Sequence, residues 1–131
     1  MIKTISHLGI AVADLKASVA VYRNLLGVEP DRLEDLPDSG VRVALFRTGN
    51  VEIELFEPLG DKGDTIHRFL AKRGDGIHHI CGEVDDLAAE LKRLEEMGFT
   101  PVGPPRRGAA GRMVAFLRPI NGVLFELSER Q

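Results

Sequence analysis

His7-Leu8-Gly9-Ile10-Ala11-Val12-Ala13-Asp14-Leu15 is answered later in the chain by His79-Ile80-Cys81-Gly82-Glu83-Val84-Asp85-Asp86-Leu87, where His, Val, Asp and Leu recur at one constant shift of 72 residues. The same shift carries Val51, Glu54 and Leu55 onto Val123, Glu126 and Leu127. Self-similarity at a fixed offset marks a duplicated structural unit, and here it returns at both ends of the repeated segment. Two of the identical positions, a histidine and a glutamate, are residue types that bind metals.

Between those ends each half reads as βαβββ. The alternating apolar run from Ile5 to Val12 predicts a strand, and Asp14 is placed to cap a helix behind it. Leu15, Val19, Tyr22 and Leu26 then share one helical face, and Gly27 supplies the stop. In the second half the cap passes to Asp86, the stripe to Leu87, Leu91 and Leu94, and the stop to Gly98. Strands are expected near 28–35, 40–48 and 51–57, and again near 99–103, 112–118 and 122–128. Pro58 and Gly60 break the first module, and Ile66, Phe69 and Leu70 predict a short amphipathic linker helix ended by Gly74. The expectation is one α+β domain over 1–131: module 1 at about 1–57, a linker helix at about 58–75, module 2 at about 76–131.

Composition sets outer bounds. A chain of 131 residues, 44% hydrophobic and 28% charged, can bury a core without staples. A net charge of −3 excludes a general attraction to nucleic acid or anionic membrane. Cys81 is the single cysteine, so no internal disulfide forms and a reducing, cytoplasmic setting is expected. No run is long and apolar enough for a membrane helix, and the first residues lack the zones of a signal peptide.

Alternation along strands assigns the repeated polar residues to one side. His7 shares a face with Gly9 and Ala11, and His79 with Cys81 and Glu83. Glu54 points opposite to Ile53 and Leu55, and Glu126 opposite to Phe125 and Leu127. The apolar set can pack under helices, which leaves two imidazoles and two carboxylates for the other face. That donor set suits a divalent first-row cation such as Co²⁺, Mn²⁺, Ni²⁺, Fe²⁺ or Zn²⁺. Any one of these residues alone would read as a satisfied strand histidine or a solvated strand-end charge; their recurrence at one shift favours metal ligation. Cys81 is read as a small floor residue, His78 as a packing or hydrogen-bonding residue, His67 as exposed, and Asp75 and Glu52 as solvated charges.

On these residues the chain resembles the vicinal oxygen chelate superfamily. Within it the chain is most similar to the methylmalonyl-CoA epimerase family, through Glu54-Leu55-Phe56-Glu57-Pro58-Leu59-Gly60, Phe69-Leu70-Ala71-Lys72-Arg73-Gly74-Asp75-Gly76-Ile77-His78-His79-Ile80-Cys81 and Val114-Ala115-Phe116-Leu117. The resemblance implies the glyoxalase fold, in which tandem βαβββ modules form a curved mixed sheet around a metal cleft. It implies an isomerase that interconverts the (R) and (S) forms of an acyl-CoA substrate through an enolate. The divalent metal, Co²⁺ by preference, would be held by His7, Glu54, His79 and Glu126, with Glu54 and Glu126 moving protons, in a protein that pairs as a homodimer.

Two departures stand out. Val43 occupies the place where some members carry a glutamate base, and the loop Arg118-Pro119-Ile120-Asn121-Gly122 is shorter than usual. Coenzyme A phosphates would need cations, and Arg106, Arg107 and Arg112, beside Gly108 and Gly111, or Lys62, Lys72 and Arg73 could supply them; a solvated basic loop is the plainer reading. Two alternatives keep the fold: glyoxalase I, which is a lactoylglutathione lyase, and a metal-free small-molecule binding protein.

Overall fold

The computed structural model describes residues 1–108 and 111–130. The elements run β1 (Thr4–Ala11), α1 (Leu15–Leu26), β2 (Arg32–Leu36), β3 (Val41–Arg47), β4 (Glu52–Pro58), a 3₁₀ turn (Asp61–Gly63), α2 (Asp64–Arg73), β5 (Gly76–Val84), α3 (Leu87–Glu96), β6 (Pro101–Arg107), β7 (Met113–Ile120) and β8 (Val123–Glu129). Two βαβββ modules joined by a helix are therefore present, as the repeat requires. No helix among the described residues is long and apolar enough to cross a membrane.

The chain forms two compact units whose boundaries cut across the modules. A terminal unit comprises Met1–His7 with His79–Gln131, and a central unit comprises Leu8–His78. The start of β1 belongs to the terminal unit, where the Lys3 amide donates to the Glu83 carbonyl at 2.8 Å.

In the central unit the strands run in the order β2-β3-β4-β1, with β2 antiparallel to β3 and β3 antiparallel to β4. Asp14 caps α1 by accepting from the Ala17 amide at 3.1 Å, and Gly27 closes the helix at φ 73°, a conformation glycine adopts without steric cost. The predicted stripe Leu15, Val19, Tyr22 and Leu26 packs with Val12, Phe46 and Leu55. On the other side Ala11, Val43 and Phe56 meet Ile66, Phe69 and Leu70 of α2. The alternation along β1 and β4 thus divides their residues between two faces. Gly40 is required for a second reason: at φ 71° its Cα lies so close to the Lys62 backbone that a Cβ would sit 2.3 Å from the Lys62 carbonyl.

In the terminal unit β5, β8, β7 and β6 lie in that order, β5 and β8 parallel, the others antiparallel. Leu87, Leu91 and Leu94 of α3 bury against Val84, Ala115, Leu117 and Leu127. Asp86 repeats the cap of Asp14 by accepting from the Ala89 amide at 3.0 Å.

Strand limits differ from expectation at two places. β2 begins at Arg32 rather than near 28, because Pro30 has no amide to give and the Asp31 carboxylate instead accepts from the Arg47 amide at 2.8 Å. β6 runs on through Gly103-Pro104-Pro105 to Arg107, with its register against β7 shifting between Val102 and Arg106. Prolines are tolerated in an edge strand at such an irregularity. The short loop after β7 is a two-residue turn in which Asn121 (φ 53°) and Gly122 (φ 79°) are both left-handed, as a type I′ hairpin demands.

Candidate metal centre

Three of the four repeated donors come together inside the terminal unit. His7 stands at the point where β1 leaves that unit, His79 is on β5, and Glu126 is on β8. The two Nε2 atoms are 3.2 Å apart, and Glu126 Oε2 lies 3.6 Å from His7 Nε2 and 3.7 Å from His79 Nε2. The rings meet edge to face at 89°. Two facing Nε2 atoms at that separation cannot both carry hydrogen, so at least one presents a lone pair. At the far side of His7, Ser6 Oγ is 2.9 Å from Nδ1. A hydroxyl there can accept from a protonated Nδ1, which favours the tautomer whose Nε2 carries a lone pair suited to ligation.

The spacing fits a cation. Bonds of about 2.1 Å place adjacent ligand atoms about 3.0 Å apart in an octahedral shell and about 3.4 Å apart in a tetrahedral one. The observed triangle of 3.2, 3.6 and 3.7 Å needs only a slight contraction around a first-row divalent ion. Neutral imidazoles and a carboxylate are the donors such ions take.

Glu54 is positioned by the central unit. It is half-buried on β4, opposite Leu45 of β3, at the place in its module that Glu126 holds in the other. Val43 is buried among Ala11, Phe56 and Ile66, an apolar side chain with no proton to exchange. Cys81 is 1% exposed and pairs in register with Glu126; its sulfur, a ring nitrogen of His7 and a carboxylate oxygen of Glu126 all lie within 4.8 Å of one another.

Some of the other side chains follow their sequence reading, as His78 does, and others depart from it. Asp75 is exposed, yet its carboxylate accepts from the Ala13 amide at 3.0 Å. His78 packs edge-on against Phe56 and Phe69, with ring centroids at 5.4 and 5.1 Å. Arg112 is tied to Glu83 at 2.7 Å, Arg107 donates to the Gly111 carbonyl, and Arg106 lies over the Phe116 ring. Glu57 and Glu129 went unnoticed although they too are 72 residues apart. Glu57 accepts from the Leu15 amide at 2.9 Å and Glu129 from the Leu87 amide at 2.8 Å. Each ties the last strand of its module, which carries Glu54 or Glu126, to the start of that module's first helix.

Glu83 gives the terminal unit a pH dependence. The Thr4 hydroxyl, and after it the Arg112 guanidinium, hold the Glu83 carboxyl below its ordinary value of 4.5, with burial opposing them. A lowered folded-state value means that this contribution is complete above pH 4.5 and fades as pH falls through the folded value. Glu83→Gln should therefore lose stability at neutral pH and show a shallower decline on acidification than the parent. Urea midpoints at stepped pH measure this; parallel acid limbs for parent and variant would refute it.

Residues 6–116 match the Glyoxalase/Bleomycin resistance protein/Dioxygenase superfamily. An ethylmalonyl-CoA/methylmalonyl-CoA epimerase of Cereibacter sphaeroides is 46% identical over 134 aligned positions, covering 98% of this chain and 99% of that protein. The crystal structure of methylmalonyl-CoA epimerase from Mycobacterium tuberculosis superposes with a TM-score of 0.86 at 38% identity, over 99% of this chain and 89% of that one. A methylmalonyl-CoA epimerase solved with methylmalonyl-CoA and NH4+ gives a TM-score of 0.85 at 33% identity, over 98% and 95% of the two chains. A lactoylglutathione lyase of Neisseria meningitidis is more distant, 27% identical over 128 positions, which cover 95% of this chain and 89% of that protein. With its duplicated modules and paired donors, the chain belongs to the glyoxalase/bleomycin resistance protein/dioxygenase superfamily.

Proposed function

We propose that the chain is an epimerase that interconverts the (R) and (S) forms of methylmalonyl-CoA. The observation that carries the reading is its end-to-end likeness to the Cereibacter sphaeroides protein of that name, which leaves almost no part of either chain unmatched. His7, Glu54, His79 and Glu126 hold the divalent cation in this reading. The family resemblance favours Co²⁺, and nitrogen and oxygen donors also suit Mn²⁺, Ni²⁺, Fe²⁺ and Zn²⁺.

The chemistry asks for such a set. The carbon between a thioester carbonyl and a carboxylate is acidic, but the charge that develops on losing its proton needs stabilisation at neutral pH. A divalent ion supplies that stabilisation as a Lewis acid. Inversion requires the proton to leave one face of the carbon and return to the other, so two proton carriers must flank it. Glu126 is one, a half-buried carboxylate on the donor face of β8. Glu54, its counterpart in the repeat, is the other, and Val43 is excluded by its side chain. His7 and His79 bind without moving protons, since their Nε2 atoms face the centre and His7 Nδ1 is engaged by Ser6. A homodimer in a reducing, cytoplasmic setting completes the reading; the lone buried Cys81 supports the compartment, and sedimentation equilibrium reads the assembly.

One observation favours lactoylglutathione lyase instead: the donor set is two glutamates and two histidines, the set that resemblance to glyoxalase I implies. The metal-loaded protein, offered methylmalonyl-CoA and the methylglyoxal–glutathione hemithioacetal separately in deuterated water, discriminates. Deuterium should enter the α-carbon of the CoA ester, while the hemithioacetal stays unchanged. Turnover of the hemithioacetal alone would reverse the assignment.

A further inference from the structure

Cys81 takes no part in the chemistry above, yet it occupies the floor of the same cluster. It follows His79 by two residues on β5, so both side chains leave the same face of the strand. Its Cα partner on parallel β8 is Glu126, in the adjacent strand about 4.8 Å away. Its sulfur closes to within 4.8 Å of ligating atoms of both His7 and Glu126. The terminal unit therefore holds, by itself, two imidazole nitrogens, one carboxylate oxygen and one thiol sulfur.

We infer that this centre has a second coordination mode, in which His7, His79, Glu126 and the Cys81 thiolate enclose a thiophilic d¹⁰ cation such as Zn²⁺ or Cd²⁺. The inference rests on the cation-binding reading of the cluster given above. Ligand softness separates the two modes. Ions that demand oxygen and a six-fold shell, such as Mn²⁺, gain little from sulfur, whereas thiolate ligation is strong for Zn²⁺ and Cd²⁺, and four donors complete a tetrahedral shell. Binding releases the thiol proton to solvent and forms one metal–sulfur bond, with no redox change. A closed four-donor shell leaves no open position for a substrate oxygen, so an ion held in this second mode inhibits, and Cys81 sets which metals the protein tolerates.

The test uses the full chain loaded with Mn²⁺ and titrated with Cd²⁺, in the parent, Cys81→Ser and Cys81→Ala. The parent should develop a sulfur-to-cadmium charge-transfer absorption that saturates at one equivalent, and both variants should lack it. Loss of a ligand should weaken Cd²⁺ binding by at least about 10- to 100-fold, the range found even for outer-shell losses, while Mn²⁺ affinity by electron paramagnetic resonance is unchanged. Circular dichroism melts identify a variant that has failed to fold, and the near-isosteric serine guards against that outcome. Mn²⁺ binding to the parent without a cadmium–sulfur band overturns this inference alone. Failure of the parent to bind either ion overturns the cation reading with it.

Discussion

Replacing Glu126 by glutamine should slow epimerisation by about 10²- to 10⁴-fold, the range for removing a positioned proton-transfer group. The substitution keeps an oxygen that can ligate, so metal loss and proton-transfer loss can be separated by comparing rates at matched metal occupancy. Glu54→Gln is the informative partner. If the two carboxylates serve opposite faces of the α-carbon, each variant should block proton exchange mainly from one configuration of methylmalonyl-CoA and leave exchange from the other nearer to the parent. Deuterium incorporation from each pure configuration, read before much product accumulates, resolves the two faces. Full exchange from both configurations in Glu126→Gln would remove this residue from proton transfer and leave it a ligand only. Exchange blocked equally from both in either variant would point to loss of the cation instead, which the occupancy measurement would register.

The parts of the fold that could be read in the sequence were those fixed by local chemistry repeated twice. Asp14 and Asp86 cap helices because a short carboxylate satisfies the free amides of a first turn wherever it precedes an apolar stripe. Leu15, Val19, Tyr22 and Leu26 pack together because helical spacing gives them no other option once one face is buried. The histidine and glutamate positions were legible because duplication returned them in step. Glu57 and Glu129 obeyed the same shift, but a glutamate near a strand end resembles an ordinary solvated charge until the amide it accepts from is seen.

Other features depended on tertiary context. Gly103-Pro104-Pro105 reads as a chain break, and only its place in an outer strand of the terminal unit lets β6 continue through it. The three arginines of that region looked interchangeable in sequence, yet one is held by a carboxylate, one by a carbonyl and one by a ring. The division of β1 between two compact units, with His7 on one side and Leu8 on the other, has no local signature at all. A uniform alternating strand carries nothing that marks where its partners change.

Leu127 tests how far the donor cluster depends on the core beneath it. It is 0% exposed, next to Glu126 on β8, and packs with Val84, Leu87, Leu91, Leu94, Ala115 and Leu117. Truncation to alanine removes the buried methyl groups and leaves a cavity that α3 and β7 cannot fully close, so Leu127→Ala should lose about 2–5 kcal/mol. Against a total of about 5–15 kcal/mol for a domain of ordinary stability, that is a large fraction, and urea denaturation should show it as a lower midpoint at similar slope. The effect on metal binding should be far smaller. Glu126 leaves β8 on the side opposite to Leu127, and its register with Cys81 is set by β5–β8 backbone pairing that the truncation does not touch. Metal affinity measured well below the unfolding transition should therefore stay close to that of the parent. A loss of affinity as large as the loss of stability would mean that core packing, rather than strand pairing, holds the Glu126 carboxylate against the two imidazoles.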